Sequence, residues 1–351
     1  MPQFTRSNRG EKKKKQRKRI FMLILLPILV VALSSAGYAT FLLKKAESVV
    51  HKSYKPVKAV SKREVKVDPK MDNVSILLIG VDESKERAKQ YGDAVRSDAL
   101  MVATLNKKEK TVKLLSIPRD SYVYIPKKNK YDKINHAHAF GGPALSIETV
   151  QELLDIPIDY YVKVNFYAFI DTVNALDGIE VEVPYALSEQ DSHDRPNAIR
   201  LKQGLQTLNG EQALALARTR HKDTDFMRGQ RQQQILKAIF SKALSASSIT
   251  KHGELIEAVG KNMTTNMSFD DMKSLMDYGL TGGGLNIETL NLKGSDAYIK
   301  GIYYYKLDET SLEEAKTVLK TQLGLESNTV QASTNGKIVN TDQNNNPSTN
   351  N

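Results

Sequence analysis

The chain has 351 residues, a net charge of +11 and no cysteine. The absence of cysteine excludes a disulfide framework, thiolate-bound zinc, iron–sulfur clusters and a cysteine nucleophile. Apolar residues make up 40 % of the chain, which is enough for one sizeable core or two ordinary ones.

The positive charge is concentrated in two segments near the N-terminus. Residues 1–19 carry nine lysine or arginine residues against one acidic residue, and residues 44–72 carry nine against four. The rest of the chain is therefore slightly acidic. A short basic tail beside an acidic body, with no helix-turn-helix pattern, argues against a nucleic acid-binding protein.

Residues 20–43 form an apolar stretch without a single charge. A helix of this length spans a hydrocarbon core of about 30 Å. Because basic residues flank the cytoplasmic side of such helices, we expect a cytoplasmic tail over 1–19 and a transmembrane signal-anchor helix over 20–43. A cleaved signal peptide is the alternative, and it also exports the rest of the chain.

The remaining chain is predicted to have three parts. Residues 44–72 are polar and lysine-rich, which is typical of a juxtamembrane stalk beside anionic lipid. Residues 326–351 are rich in asparagine, serine and threonine and predict a disordered tail. Residues 73–325 show no linker-like interruption, and we expect them to form one extracellular domain.

Strand and helix patterns alternate along this domain. In the first half of the domain, the pattern predicts strands over Val74–Val81, Ala99–Leu105, Thr111–Ile117, Tyr160–Val164 and Ile179–Val183. It predicts helices over Ile147–Leu154 and Phe166–Leu176. The second half predicts helices over Gly210–Thr219, Gln230–Ser245, Ser268–Tyr278 and Glu309–Leu323, with short strands over Leu290–Leu292 and Ile302–Leu307. The alternation favours a three-layer α/β/α domain with a central mixed sheet.

Acidic residues flank the loop between the first two predicted strands. Asp82 follows the first strand and Asp98 stands just before the second, so their carboxylates can converge. Two carboxylates suit Mg²⁺ or Mn²⁺ when substrate phosphates complete the coordination shell. Alternatively, Asp82 caps a loop and Arg96 pairs with Asp98. Arg119 and Asp120 follow the third strand. They either belong to the same site or form a surface turn.

The densest group of charges lies in residues 218–232, which contain Arg218, Arg220, Arg228 and Arg231. On a helical projection, Arg228 and Gln232 fall inside the apolar sector of the following helix and Arg231 lies at its edge. Guanidinium groups in a cleft repel one another unless an anion joins them, and their planar shape suits phosphate. This pattern predicts a phosphate site, with salt bridges to the two aspartates of the segment as the alternative.

Six motifs occur in order along the chain: LLIGVD (Leu77–Asp82), RSDALMVATLN (Arg96–Asn106), SIPRD (Ser116–Asp120), KINHAHAFGG (Lys133–Gly142), LNGEQALALARTR (Leu208–Arg220) and RGQRQQ (Arg228–Gln233). This series resembles the LytR–CpsA–Psr family of Gram-positive envelope enzymes. A basic N-terminus followed by one membrane helix is also the layout of that family.

The resemblance implies a phosphotransferase. Such an enzyme moves a glycopolymer, for example wall teichoic acid or capsular polysaccharide, from an undecaprenyl-pyrophosphate carrier to peptidoglycan, and the product is a phosphodiester. The implied partners are the lipid-linked polymer, peptidoglycan and membrane lipid, with no nucleic acid. The implied location is the cell membrane, with the N-terminus in the cytoplasm and the domain outside.

The resemblance also implies roles for individual residues. Asp82 and Asp98 would bind Mg²⁺ or Mn²⁺. The residues with catalytic roles would be Asp82, Arg96, Asp98 and Asp225. The residues that bind the pyrophosphate would be Arg96, Arg119, Lys133, Arg218, Arg220, Arg228, Arg231 and Gln232.

Three other functions use the same sequence features. A non-catalytic binder of lipid-linked polymer needs the same arginines, and so does a lipid pyrophosphatase that uses water as the acceptor. A transcriptional regulator is the third alternative, and the predicted export of the domain argues against it.

Overall fold

The structure is a computed structural model that describes residues 37–57, 62–63, 65, 67–81, 95–219, 225–243, 252–280 and 286–325. The predicted cytoplasmic tail, residues 20–36 of the predicted membrane helix and the predicted C-terminal tail lie outside this part of the chain. So do Asp82 and Arg220. Within the described ranges, no helix is long and apolar enough to cross a bilayer.

A six-stranded mixed sheet forms the centre of the domain. Its strands, in spatial order, are β11 (Met263–Thr265), β6 (Tyr160–Asn165), β1 (Val74–Val81), β2 (Ser97–Asn106), β3 (Thr111–Ile117) and β12 (Asn286–Asn291). β2 runs antiparallel to both β1 and β3, whereas β6 is parallel to β1 and β12 is parallel to β3. The predicted mixed sheet is therefore confirmed.

Helices and four two-stranded units surround this sheet. The helices are α1 (37–53), α2 (His136–Leu154), α3 (Phe166–Ala175), α4 (Gly210–Arg218), α5 (Asp225–Ala243), α6 (His252–Lys261), α7 (Phe269–Leu280) and α8 (Glu309–Leu323). Three hairpins pair β4 (Tyr122–Ile125) with β5 (Lys130–Lys133), β8 (Leu187–Glu189) with β9 (Ile199–Leu201), and β13 (Gly294–Ile299) with β14 (Ile302–Leu307). The fourth two-stranded unit pairs β7 (Ile179–Val183) with β10 (Gly204–Leu208), and the β8–β9 hairpin lies between them in sequence.

Both faces of the sheet are covered, because successive side chains of a strand point to opposite faces. Leu77 and Ile79 of β1 belong to the core cluster that includes residues of α2 and α8. Ile76, on the other face, belongs to a cluster that α5 and α7 border. Burial on both faces explains why β1 and β3 are nearly continuous apolar runs.

Part of the predicted stalk, residues 44–72, packs on the domain through polar contacts. The Ser53 hydroxyl donates to the carbonyl of Gly260 over 3.0 Å. The Arg63 guanidinium pairs with Asp159, whose side chain is nearly buried, at 2.7 Å. Serine and arginine are also common in solvated segments, so the polar composition of residues 44–72 gives no indication that they pack on the domain.

Two helices begin earlier than the sequence predicts. α2 begins at His136 and is kinked at Gly141 and Gly142, where Gly142 has a positive φ of 61°. This kink interrupts the apolar periodicity, so only the second half of the helix is apparent in the sequence. α5 begins at Asp225, in the polar segment that precedes its apolar stripe.

Candidate functional site

The sheet topology brings the ends of several strands to one edge. Because β2 is antiparallel to its neighbours, the beginning of β2 lies beside the ends of β1 and β3. Val81 pairs with Ser97, and Leu100 pairs with Ile117. Asp82, the next residue after Val81, lies outside the described part of the chain. We call this end of the sheet the charged edge.

Alternating charges form a connected network at the charged edge. The Arg119 guanidinium donates a short hydrogen bond to the Asp98 carboxylate. Its Nε lies 3.6 Å from Oδ2 of Asp120, and Oδ1 of Asp120 lies 3.0 Å from Nζ of Lys133. The Asp98 side chain is 46 % exposed and that of Asp120 only 11 %. Asp98 is thus bound by Arg119, whereas Arg96 is exposed.

Several buried polar atoms around this network have no hydrogen-bond partner among the residues that the structure describes. They include Oγ of Ser97, Nε of Arg119 and Oδ1 of Asn135. Asn135 is adjacent to the network, since its backbone N–H donates to the carbonyl of Arg119 over 3.2 Å. Buried polar groups in proteins are almost always hydrogen-bonded. These atoms therefore mark a place where a polar ligand or water would complete the bonding.

Helix α5 begins against the charged edge. A side chain at Gly229 would place its Cβ 2.7 Å from Oγ of Ser116, near the end of β3, so glycine permits this close approach. One turn later, Nε2 of Gln233 donates to the carbonyls of Leu114 and Leu290 at 3.1 and 2.7 Å. Arg228, in the first turn, is buried as the helical projection predicts.

Arg231 and Gln232, which were predicted to bind the pyrophosphate, contact the end of α4. The Arg231 guanidinium donates to the carbonyls of Leu216 and Thr219 at 3.1 and 2.8 Å, and Nε2 of Gln232 donates to that of Ala217 at 3.2 Å. Cations and donors are favourable at a helix C-terminus, where carbonyls lack partners. Burial lowers the pKa of Arg231, although nearby acidic groups oppose the shift, and the guanidinium remains charged.

Arg218 lies in the last turn of α4, at the β6 side of the sheet. Its guanidinium carbon is 5.4 Å from the centroid of the Phe166 ring, which begins α3 directly after β6. The contacts of Arg231 and Gln232 fix the end of the helix that carries Arg218. Asp225 begins α5, and its side chain lies outside the described part of the chain.

Of the two predicted metal ligands, Asp82 and Asp98, only Asp98 lies within the described part of the chain. Among the described residues, no group of three or more histidine, cysteine, aspartate or glutamate side chains could hold a metal ion. The two histidines of the KINHAHAFGG motif have other partners. Nδ1 of His136 lies 2.9 Å from Asp132, and Nδ1 of His138 lies 2.6 Å from the carbonyl of Val95.

Sequence reasoning missed two polar residues that shape this region, Gln233 and Asn135. Gln233 belongs to the RGQRQQ motif and Asn135 to the KINHAHAFGG motif. Membership in these motifs is the sequence feature that could have pointed to the two residues. Gln233 lies outside the apolar sector of the helical projection. The projection therefore gives no indication that Gln233 is buried.

The structure is thus a mixed α/β domain whose sheet edge carries guanidinium and carboxylate groups in contact, and guanidinium is the side-chain group whose shape best suits phosphate. The family model named LytR_cpsA_psr matches residues 40–321, and the chain belongs to this family.

The chain is similar to two named transferases and to one protein described as uncharacterized. It is 41 % identical to the polyisoprenyl-teichoic acid–peptidoglycan teichoic acid transferase TagT of Bacillus subtilis, over 91 % of this chain and 99 % of TagT. It is 39 % identical to the transferase TagU of the same organism, over 91 % of this chain and 99 % of TagU. A Staphylococcus aureus protein described as uncharacterized is 40 % identical over 87 % of this chain and 76 % of that protein.

Solved structures of TagT share the fold. One contains bound octaprenyl pyrophosphate lipid, with a TM-score of 0.60 and 39 % identity over 78 % of this chain and 99 % of that one. Another is TagT bound to LI-WTA, with a TM-score of 0.64 and 40 % identity over the same shares. These similarities extend the family assignment from sequence to structure.

The two ends of the charged network should differ in their effect on stability. Lys133→Met removes a cation from the buried carboxylate of Asp120 and should lower the free energy of unfolding by about 1–3 kcal/mol. Asp98→Asn, at a half-exposed pair, should cost less than about 1 kcal/mol. Urea unfolding of both variants and the parent protein tests this, and equal losses would contradict it.

Proposed function

We propose that the chain is a membrane-anchored phosphotransferase that moves an anionic glycopolymer, such as wall teichoic acid, from an undecaprenyl-pyrophosphate carrier to peptidoglycan. The names of TagT and TagU support this proposal, as does the TagT structure with octaprenyl pyrophosphate lipid. The observation that carries it for this chain is the charged edge itself. There the Asp98–Arg119 pair and the first turn of α5, with buried Arg228, meet at the end of β3.

The proposed reaction exchanges the phosphoanhydride bond of the carrier for a phosphate ester bond to the acceptor. An acceptor hydroxyl oxygen forms a bond to the phosphorus that carries the polymer, and the bond from that phosphorus to the bridging oxygen breaks. The polyprenyl phosphate leaves with the bridging oxygen, and the hydroxyl proton passes to a carboxylate. Because the pyrophosphate already stores the driving force, the reaction needs no ATP outside the cell.

The protein's part in such a reaction is charge neutralisation and positioning more than covalent catalysis. We assign the guanidiniums of Arg119, Arg218 and Arg228 to the pyrophosphate oxygens, with Arg96, Lys133 and Arg220 as further cations. Since Arg119 also binds Asp98, a phosphate held by Arg119 would lie near a carboxylate. Asp98 and Asp225 are the candidate proton acceptors.

We further propose that Asp98 and Asp82 hold Mg²⁺ or Mn²⁺ together with phosphate oxygens. The donor chemistry fits, because hard carboxylate oxygens beside a phosphate site are the ligands that these ions prefer. Asp98 is accessible at the charged edge, and the hydroxyl of Ser97 next to it has no hydrogen-bond partner within the described part of the chain. When bound, the ion would neutralise charge on the phosphate oxygens.

Residues 20–43 are the proposed membrane anchor, and the domain is proposed to lie outside the cell. The uncharged length of this stretch and the basic residues before it support the orientation. Retention at the membrane would suit the function, because the proposed substrate is a lipid that stays in the bilayer.

Arg228 should be needed for binding of octaprenyl pyrophosphate. Loss of a charge-assisted hydrogen bond costs about 1.5–3 kcal/mol, so Arg228→Ala should weaken binding by about tenfold or more. Arg228→Lys should also weaken it, because the planar fork is lost. Calorimetric titration tests this, with Arg200→Ala as the matched control since Arg200 is exposed on β9. Unchanged binding by folded Arg228 variants would move the site elsewhere.

Polymer transfer should depend on a divalent metal and on Asp98. EDTA should stop transfer of lipid-linked polymer to peptidoglycan oligomers, and added Mg²⁺ should restore it, with the melting temperature unchanged throughout. Asp98→Asn should lose transfer by orders of magnitude, whereas Asp270→Asn, which removes an equal charge from exposed α7, should not. Full transfer in excess EDTA would remove the metal from the mechanism.

The orientation in the membrane can be measured with reporter fusions. A reporter that is active only outside the cytoplasm should be active when fused after residue 325. A fusion after residue 19 that omits the apolar stretch is the control, and it should be inactive. Activity of a cytoplasmic reporter at residue 325 would favour the regulator alternative over the transferase.

A further inference from the structure

Helix α1 (37–53) crosses the boundary between the proposed anchor and the predicted stalk. Its first seven residues, 37–43, are also the last seven of the proposed anchor, and its other ten belong to the predicted stalk. The described chain therefore passes from the anchor into the domain as a helix, with no break between residues 43 and 44. A helix transmits position and direction, whereas an extended polar linker transmits neither.

The exposed face of α1 changes character at the same boundary. Residues 37–41 are all exposed and carry no charge, and they include the aromatic rings of Tyr38 and Phe41. From residue 44 onwards, the exposed residues are polar: Lys44, Glu47, Ser48, His51 and Lys52. Aromatic rings followed by lysine are typical of the boundary between lipid and water. The pattern therefore indicates that lipid covers the first turn of α1 and that water surrounds the rest.

The opposite face of α1 packs along α6, and the two helices run parallel. Contacting residues ascend together along both helices, and they are Leu42 with Gly253, Lys45 with Glu257, and Val49 with Gly260. Nζ of Lys45 lies 2.8 Å from the Glu257 carboxylate. A Cβ at Gly260 would overlap the side chain of Val49, so glycine permits this close approach. This packing holds α1 in one rotational position on the domain.

The end of α1 that is remote from the anchor lies near the charged edge. The Ser53 hydroxyl donates to the carbonyl of Gly260 over 3.0 Å, one residue before the end of α6. The next residue after α6, Asn262, accepts a hydrogen bond from the N–H of Asn165 over 3.3 Å. Asn165 ends β6 and pairs with Val81 at the charged edge. Because ten helical residues rise about 15 Å, α1 separates the end of the anchor from this region by roughly that distance.

The chain that follows α1 is also fixed to the sheet. Tyr54 forms a bridge with Thr265 of β11, and the N–H of Lys55 donates to the carbonyl of Thr265 over 2.7 Å. The carbonyl of Lys55 accepts a hydrogen bond of 2.7 Å from the hydroxyl of Tyr161, which is buried in β6. With its length packed on α6 and its end bonded to two strands, α1 cannot pivot without breaking these contacts.

We propose that α1 is a rigid spacer, which holds the charged edge at a fixed distance from the bilayer and in one orientation. This inference rests on the proposed membrane anchor and on the proposed transferase function, whose donor is a lipid. A flexible tether would let the site move over many heights above the membrane. A packed helix instead keeps the site at the height where a lipid-linked pyrophosphate reaches it, which raises its effective concentration there.

The depth of α1 can be measured without any turnover. The chain contains no tryptophan, so Phe41→Trp and Lys52→Trp each introduce a single emission reporter into the full-length protein. In vesicles of lipids brominated on the upper acyl chain, Phe41→Trp should lose emission and Lys52→Trp should not. Vesicles without bromine are the control. Quenching of both variants would show that α1 lies along the surface, and quenching of neither would place residues 37–43 outside the lipid. Either result would overturn the inference.

Seven residues inserted after Lys44 test the spacer itself. A helical insert, AEAAAKA, lengthens α1 by about 10 Å and adds nearly two full turns, so it raises the domain with little rotation. It should lower transfer from an undecaprenyl-linked donor in vesicles by about tenfold or more. The matched control is the flexible insert GSGSGSG, which should retain most of the transfer because the domain can return to its height. A water-soluble short-chain donor should serve all three proteins equally. The inference is wrong if the helical insert transfers as well as the parent protein, or if both inserts lose transfer equally.

A reversible cross-link tests whether α1 stays on α6 during turnover. A Cβ at Gly260 would lie 3.1 Å from Cβ of Val49, close to the spacing of about 3.5–4.5 Å that a disulfide requires. Val49→Cys also removes the methyl groups that this Cβ would overlap. Because the chain contains no other cysteine, Val49→Cys with Gly260→Cys should form a single disulfide and transfer polymer equally when oxidised and reduced.

Two results of the cross-link would contradict the inference. A pair that does not oxidise would contradict the packing of α1 on α6. A loss of transfer on oxidation that reduction restores would show that α1 must leave α6. Failure of the proposed function is distinguishable from both, since a protein that transfers no polymer would still show the quenching pattern and form the disulfide.

Discussion

The contact between Gly229 and Ser116 holds the candidate site together. It brings the first turn of α5 against the end of β3, and a side chain at residue 229 would separate the two by overlapping the serine. Gln233 then ties the same helix to the carbonyls of β3 and β12. Without this approach, Arg228 would lie away from the edge that carries Asp98 and Arg119. The absence of a side chain at Gly229 therefore allows the charges of α5 and those of the sheet edge to face the same ligand.

The charged edge is compensated within the protein, and this compensation shapes how it can bind an anion. Arg119 lies between two carboxylates, and Lys133 neutralises the more buried of them. Such pairing avoids the cost of burying an isolated charge. A pyrophosphate bound as we propose would add negative charge to this balanced network, so it would need the further guanidiniums of α4 and α5, or a metal ion beside Asp98. This balance of charge is the reason that the proposed site includes cations from distant parts of the sequence.

The inner strands β1, β2 and β3 could be predicted from the sequence because they are largely buried on both faces, whereas β11 was missed and only the end of the more exposed β12 was predicted. Val74–Val81 and Thr111–Ile117 have the predicted bounds for this reason. The β4–β5 hairpin was missed, since both strands have only four residues and β5, with the sequence KYDK, is mostly charged. The burial of Arg228 followed from the helical projection, whereas Gln233 was missed. A projection assumes one buried face, but α5 packs against α4 on one side and against the sheet on the other.

The candidate site takes its cations from separate elements of the fold. Arg218 stands at the β6 side of the sheet, and the charged network lies at the ends of β2 and β3. Arg119 and Lys133 of this network already pair with Asp98 and Asp120. A pyrophosphate bound as we propose would therefore compete with these carboxylates for the same donors. If the phosphate took the hydrogen bond of Arg119, the Asp98 carboxylate would lose that partner and could accept the acceptor proton or bind a metal ion.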